Sequence, residues 1–282
     1  MAKRLLGKEV NASLNKKIKK EVLELKDKGI EPAICMIRVG EHEDDISYER
    51  GASKRAETLG VKVIKRVLPL DIEERELVQV IKEANMDASI HGVLLFRPLP
   101  KHINEKRILE HLDPAKDIDG ITKTSMASIY SGDKEGFPPC TAAACMEILN
   151  HYQIDLTGKK VVVIGRSLVV GKPVSMMILK ENGTVTICHS KTEDLPSVTR
   201  EADIVIVAAG KARIIGKEYL KEGQIVIDVG IHVDENGKLC GDVKLEEAEE
   251  LVEGITPVPG GVGTVTTSIL ISHVVKAANR QR

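Results

Sequence analysis

The run Val161-Val162-Val163-Ile164-Gly165-Arg166-Ser167-Leu168-Val169-Val170-Gly171-Lys172-Pro173 decides the fold. Residues 161–164 are β-branched throughout, which predicts a parallel strand covered on both faces. Gly165 and Gly171 allow a backbone to come close to a ligand. The helix predicted to follow offers unpaired N–H groups and a positive dipole end to an anion. Arg166 adds a guanidinium fork suited to a phosphate. The run resembles a dinucleotide-binding turn but lacks the G-x-G-x-x-G spacing, so by itself it also fits an ordinary βα turn.

The segments downstream favour the ligand. Strands are expected at 184–188, 203–208 and 224–229, with helices at 172–181 and near 195–201 between them. This alternation implies a parallel sheet. Each strand ends in a small or polar group: Gly165-Arg166-Ser167, His189-Ser190-Lys191-Thr192, Ala208-Ala209-Gly210 and Asp228-Val229-Gly230-Ile231. Ligands of open parallel sheets bind at such carboxyl ends. The second strand ends in His189, Ser190 and Lys191 where an NAD site usually carries an acid. With Arg166 beside them, these residues favour the 2′-phosphate of NADP. Ser190 could equally cap a helix. Asn236-Gly237 predicts a hairpin turn between 231–233 and 238–243.

The N-terminal half shows the same alternation. Val10, Leu14, Ile18, Val22 and Leu25 recur near helical period, and Gly29 stops that helix. Strands follow at 33–39, 61–67 and 92–96, and helices at 45–59, 73–85 and 105–112. Residues 123–139 read as a loop and mark the domain boundary. A helix capped by Thr141 then runs to about residue 152, and the apolar segment 264–278 is a final helix. The expected architecture is α/β with two domains, each a mainly parallel sheet flanked by helices, the C-terminal one Rossmann-like.

With 41 Lys and Arg against 42 Asp and Glu, and no Trp, nothing points to nucleic acid or an anionic membrane. No apolar run has the roughly 18 residues of a spanning helix. Residues 1–8 carry no apolar leader core, so a cytoplasmic protein is expected. Cys35, Cys140, Cys145, Cys188 and Cys240 lack C-x-x-C spacing and read as reduced thiols, with no metal site.

Four segments, in order, resemble the bifunctional methylenetetrahydrofolate dehydrogenase/methenyltetrahydrofolate cyclohydrolase family. They are Lys116-Asp117-Ile118-Asp119-Gly120, Gly165 to Pro173, Thr184-Val185-Thr186 with His189 to Thr192, and Pro257-Val258-Pro259-Gly260-Gly261-Val262-Gly263. The resemblance implies a folate-binding catalytic domain over 1–140, joined by the C-terminal helix 265–282, and an NADP-binding domain over 141–264, with a cleft between. It implies a homodimer in one-carbon metabolism. The reaction implied is oxidation of 5,10-methylenetetrahydrofolate by NADP⁺ to the methenyl cation, which most members then hydrate to 10-formyltetrahydrofolate. By position, Tyr48 and Lys54 are the catalytic candidates. Tyr48, Pro98, Asp119, Pro259, Gly260, Gly261 and Gly263 are the folate candidates. Gly165, Arg166, Ser167, His189, Ser190, Gly210, Gly230 and Ile231 are the cofactor candidates. Asp119 also fits an Asx-turn before Gly120.

Two departures coincide. The family segment Tyr-x-x-x-Lys-x-Lys reads here Tyr48-Glu49-Arg50-Gly51-Ala52-Ser53-Lys54, so the lysine credited with cyclohydrolase proton chemistry is Ala52. The family's Gln-Leu-Pro-Leu-Pro reads Phe96-Arg97-Pro98-Leu99-Pro100, and that glutamine pairs with the missing lysine. Losing both ends of one hydrogen bond is cheaper than orphaning one end. Asp44-Asp45 and Thr264-Val265 are further changes. The pattern predicts a dehydrogenase with weak or absent cyclohydrolase activity, a separate enzyme hydrating its product. A fully bifunctional enzyme, a non-catalytic nucleotide sensor and a shikimate-dehydrogenase-like oxidoreductase are the competing readings.

Overall fold

The computed structural model describes residues 2–281. In chain order the elements are β1 (Lys3–Arg4), α1 (Gly7–Lys26), β2 (Ala33–Val39), α2 (Glu43–Leu59), β3 (Lys62–Leu68), α3 (Glu74–Met86), β4 (Gly92–Leu95), α4 (Glu105–Leu109), α5 (Lys123–Ser131) and α6 (Cys140–His151). There follow β5 (Lys160–Ile164), α7 (Gly171–Lys180), β6 (Thr184–Cys188), α8 (Leu195–Arg200), β7 (Ile204–Val207), β8 (Ile225–Asp228), β9 (His232–Val233), β10 (Leu239–Cys240), α9 (Leu245–Glu249), β11 (Gly254–Ile255) and α10 (Val262–Arg280). The chain divides into two compact units, one of residues 1–12 with 141–266, the other of 13–140 with 267–282.

The first unit holds a six-stranded sheet ordered β1-β11-β8-β7-β5-β6, parallel throughout. Every residue of β7 and four of the five in β5 are buried, as the unbroken Val/Ile composition requires of strands covered on both faces. The chain leaves β5 for β6 on one side and returns to β7 on the other. The carboxyl end of β5 is therefore a topological switch point, where ligands of such sheets bind. β9 and β10 form the hairpin that Asn236-Gly237 predicts, with Gly237 at φ 74°.

The second unit holds a parallel sheet ordered β3-β2-β4. β2 is buried at all seven residues, whereas β3 is an edge strand with much of its surface exposed. The α2 face carrying Glu49, Ala52, Ser53, Ala56 and Leu59 is buried. An ion-paired group sits at this face. Arg38 Nε donates to Glu49 Oε2 at 3.0 Å, and Lys65 Nζ lies 3.0 Å from Glu49 Oε1.

Residues 2–12 cluster with the unit that holds the six-stranded sheet. Lys3 pairs with Gly254 in parallel register, and Gly7 N donates to Gly260 O at 2.8 Å. Residues 123–139 are not all loop. Thr122 Oγ1 accepts from Ser125 N at 3.2 Å, capping α5, and Gly132 closes it at φ 77°. Nine residues with little apolar periodicity gave weak helical signal beside Gly132, Gly136 and Pro138-Pro139.

Candidate active site

In the first unit, register brings the predicted strand ends together. Ile164 pairs with Cys188 and with Val207, and Gly165 N donates to Cys188 O at 2.8 Å. Gly165 sits at φ 133°, and a side chain there would overlap the Ala208 carbonyl oxygen. A Cβ at Gly171 would likewise overlap the Gly165 carbonyl. Only glycine permits this turn. Ser167 Oγ accepts from Val170 N at 3.1 Å and Gly171 N at 3.4 Å, so this hydroxyl shapes the start of α7. Arg166 is exposed and, among the described residues, pairs with no carboxylate. At the adjacent β6 end, Lys191 N donates to His189 Nδ1 at 3.2 Å, so the neutral ring carries its proton on Nε2. Ser190 is exposed, and α8 is capped by Asp194 instead. Arg166, His189, Ser190 and Lys191 thus present unpaired polar groups on neighbouring strand ends. The glycine-only turn and this cluster fit a phosphorylated nucleotide.

Gly210 follows the strand beside this turn, at φ 69°. Its N–H donates to Asp242 Oδ2 at 3.0 Å and is spent inside the protein. Gly230 is required for space, because a Cβ there would overlap Asp242 Oδ1. Ile231 is 58% exposed at the rim of an open groove of about 240 Å³. Pro259, Gly260, Gly261 and Gly263 line the same groove, so this loop stands in the same unit as the nucleotide turn. Gly260 has φ 105°, and a Cβ on Gly263 would come within 2.8 Å of Ile231 Cδ1.

In the second unit, four distant segments meet around Asp119. Tyr48 on α2 packs edge-on against Phe96, with ring centroids 6.1 Å apart at 79°. Although Tyr48 is 42% exposed overall, burial around its hydroxyl, with the Cys140 thiol and the Asp119 carboxyl, pushes the phenol up despite a hydrogen bond with Thr267 of α10. Burial pushes the Asp119 carboxyl up to about 6. Arg97 and the Cys140 thiol pull it down, and Asp117 adds to the rise. The loop is braced by Asp117, not by Asp119. Its carboxylate accepts from Ile121 N at 3.0 Å, Thr122 N at 2.8 Å and Ser125 Oγ at 2.7 Å. Asp119 takes no main-chain hydrogen bond and remains an acceptor for a ligand.

Pro98 follows Arg97 through a cis peptide and is exposed. Arg97 Nη1 is held 3.2 Å from Glu105 Oε1. Ala52, one turn after Tyr48 on the same helix face, is 1% exposed, and Phe96 is 7% exposed. Lys54 does not join them. It lies about 200° around α2 from Ala52 and faces solvent. Cys140 and Thr267, which the sequence did not single out as site residues, enter through tertiary packing. Their signal was only the apolar periodicity of α6 and α10. Among the described residues no cluster of potential metal ligands occurs, and no helix is long and apolar enough to cross a membrane.

Residues 5–119 match the catalytic domain of tetrahydrofolate dehydrogenase/cyclohydrolase, and residues 139–282 match its NAD(P)-binding domain. The bifunctional protein FolD of Clostridioides difficile is 50% identical over 98% of this chain and 96% of its own. The crystal structure of the bifunctional FolD dehydrogenase/cyclohydrolase of Campylobacter jejuni superposes with a TM-score of 0.97 at 40% identity, over all of both chains. That of the Trypanosoma brucei enzyme, complexed with NADP cofactor and an inhibitor, superposes at 0.91 with 33% identity over 99% of this chain and 98% of its own. With both domain models matched in order across nearly the whole sequence, this chain belongs to the tetrahydrofolate dehydrogenase/cyclohydrolase family.

Proposed function

We propose that this protein oxidises 5,10-methylenetetrahydrofolate to 5,10-methenyltetrahydrofolate with NADP⁺. Asp119 carries the folate half of this reading. A half-buried carboxylate with no main-chain donor can accept two hydrogen bonds from the amino-pyrimidinone edge of a pterin. Tyr48, held neutral, can donate to the substrate and cannot serve as a base near neutral pH. Arg166 and Ser190 support the 2′-phosphate, and the Trypanosoma brucei relative is described with NADP. When bound, the nicotinamide supplies the hydride acceptor. The residues need only bring donor and acceptor carbons within about 3–3.5 Å and exclude water. No protein nucleophile is required. An absorbance trace of NADPH formation from methylenetetrahydrofolate tests this, and no NADPH would overturn it. The same trace separates the enzyme from a non-catalytic nucleotide sensor.

Two observations bear on the second activity. The names of the relatives favour a bifunctional enzyme that also hydrates the methenyl product. The residues favour weak hydration: position 52 presents a methyl group, Phe96 closes against Tyr48, and Lys54 faces solvent. Arg97 stays protonated and is a poor base. A hydrolysis rate comparable with the dehydrogenase rate establishes the bifunctional reading. A rate orders of magnitude lower assigns hydration to a separate enzyme. A homodimer is also proposed, on the family resemblance, and sedimentation tests it.

A further inference from the structure

One buried carboxylate in the nucleotide-binding unit is left unused by the reaction. Asp242 is 0% exposed. Its Oδ2 accepts from Ala209 N at 2.7 Å and Gly210 N at 3.0 Å, and its Oδ1 from Lys211 N at 3.0 Å and His232 Nε2 at 2.7 Å. A carboxylate has about four lone-pair sites, and all four are filled here. Three successive backbone N–H groups form a concave nest that commonly holds an anion. In this protein an internal anion fills it.

Two loops are fixed by this one group: the turn after β7, and the segment after β8 that carries Ile231. Asp242 is itself held, its N–H donating to Asp228 Oδ1 at 3.1 Å. Gly230 and Gly241 give the two carboxylates room, since a Cβ on either would overlap an aspartate oxygen. Both loops lie at the carboxyl ends of parallel strands, beside the switch point where the cofactor is read to bind. With no acceptor capacity to spare, Asp242 acts on a ligand only through the backbone it holds.

We propose that Asp242 and His232 form a positioning pair for the nicotinamide side of the site, setting the turn at 208–211 and the Ile231 segment together. This rests on the NADP reading above. His232 is the replaceable member, since its side chain is 23% exposed and makes one contact to the carboxylate. His232→Leu removes that donor, and His232→Gln restores an N–H within reach. Binding of NADPH by fluorescence titration, and separate KM values for NADP⁺ and methylenetetrahydrofolate, are the measurements. The expected result is a rise of about tenfold or more in Kd for NADPH and KM for NADP⁺ in His232→Leu, the scale of one hydrogen bond to a charged group. The folate KM stays unchanged, and His232→Gln recovers most of the loss. Asp242→Asn should show the same selectivity, larger. The proposal is overturned if His232→Leu binds NADPH as the wild type does, or if nucleotide and folate KM rise together with a lowered Tm. A wild type that binds no NADPH overturns the NADP reading and the proposal with it.

Discussion

If Ala52 and Phe96 are what limit hydration of methenyltetrahydrofolate, Ala52→Lys combined with Phe96→Gln should raise its rate. Ala52 and Phe96 are 1% and 7% exposed, so each change acts inside packed structure. Ala52→Lys alone forces a long stem into buried packing, an overpacking that costs about 1–3 kcal/mol, and gives the ammonium no partner. Phe96→Gln alone leaves an unpartnered amide and removes the ring that meets Tyr48 edge-on, a contact worth about 0.5–1.5 kcal/mol beyond its area. In the double variant the amide and the amine can satisfy each other. A net loss of roughly 2–4 kcal/mol remains from the missing aromatic volume, lowering Tm by roughly 5–10 °C. A positioned proton-transfer group should raise the enzymatic hydrolysis rate about 10²–10⁴-fold. The assay is decay of the methenyl chromophore, corrected for spontaneous hydrolysis, alongside NADPH formation on the same sample. The reasoning fails if the wild type already hydrolyses at a rate near its dehydrogenase rate. It fails too if the double variant folds and makes NADPH with no gain in hydrolysis.

Asp119 gives a pH dependence. Its carboxyl, raised to about 6, protonates as pH falls from 7 to 5 and loses acceptor capacity, so KM for methylenetetrahydrofolate should climb about tenfold per unit below 6 while KM for NADP⁺ stays flat. Asp119→Asn should raise the folate KM by about 10–100-fold and abolish that slope. Arg166→Leu should cost about 10–100-fold in kcat/KM with NADP⁺ and little with NAD⁺, and an equal loss with both would remove Arg166 from the 2′-phosphate. For Glu49, burial opposes ionisation, but hydrogen bonds from Lys65 and Arg38 outweigh it and hold the carboxyl below its ordinary range. Its stabilisation is therefore present above the unfolded value of 4.5 and lost as pH falls through the lower folded value. Glu49→Gln leaves Arg38 buried without its ion and should cost about 3–5 kcal/mol at pH 7, read by denaturant unfolding, with the deficit shrinking in acid.

Local chemistry alone carried several features. The β-branched run at 161–164 and the Asn236-Gly237 turn follow from sterics within a few residues, and each was legible in sequence. So was the helical angle that keeps Lys54 from standing in for position 52. The strand-end clusters fell into register because parallel pairing aligns equivalent positions of successive βα units.

What sequence could not give are the partners contributed from far along the chain. Arg97, Cys140 and Thr267 converge on Tyr48 and Asp119 from segments remote in sequence, and burial raises the Asp119 carboxyl to about 6 against the pull of Arg97 and the Cys140 thiol. Asp117 and Asp119 are two residues apart in one motif, and only the fold decided that the first braces the loop through main-chain N–H groups and the second does not. Lys3 and Arg4 joined the distant sheet because the edge at β11 offered backbone partners that no local signal announces. The same is true of Asp242. Its sequence neighbourhood is an unremarkable Gly241-Asp242-Val243, and its role exists only because the turn at 209–211 folds three N–H groups onto it. Backbone periodicity fixes elements one at a time, whereas burial and hydrogen-bond saturation belong to the assembled chain.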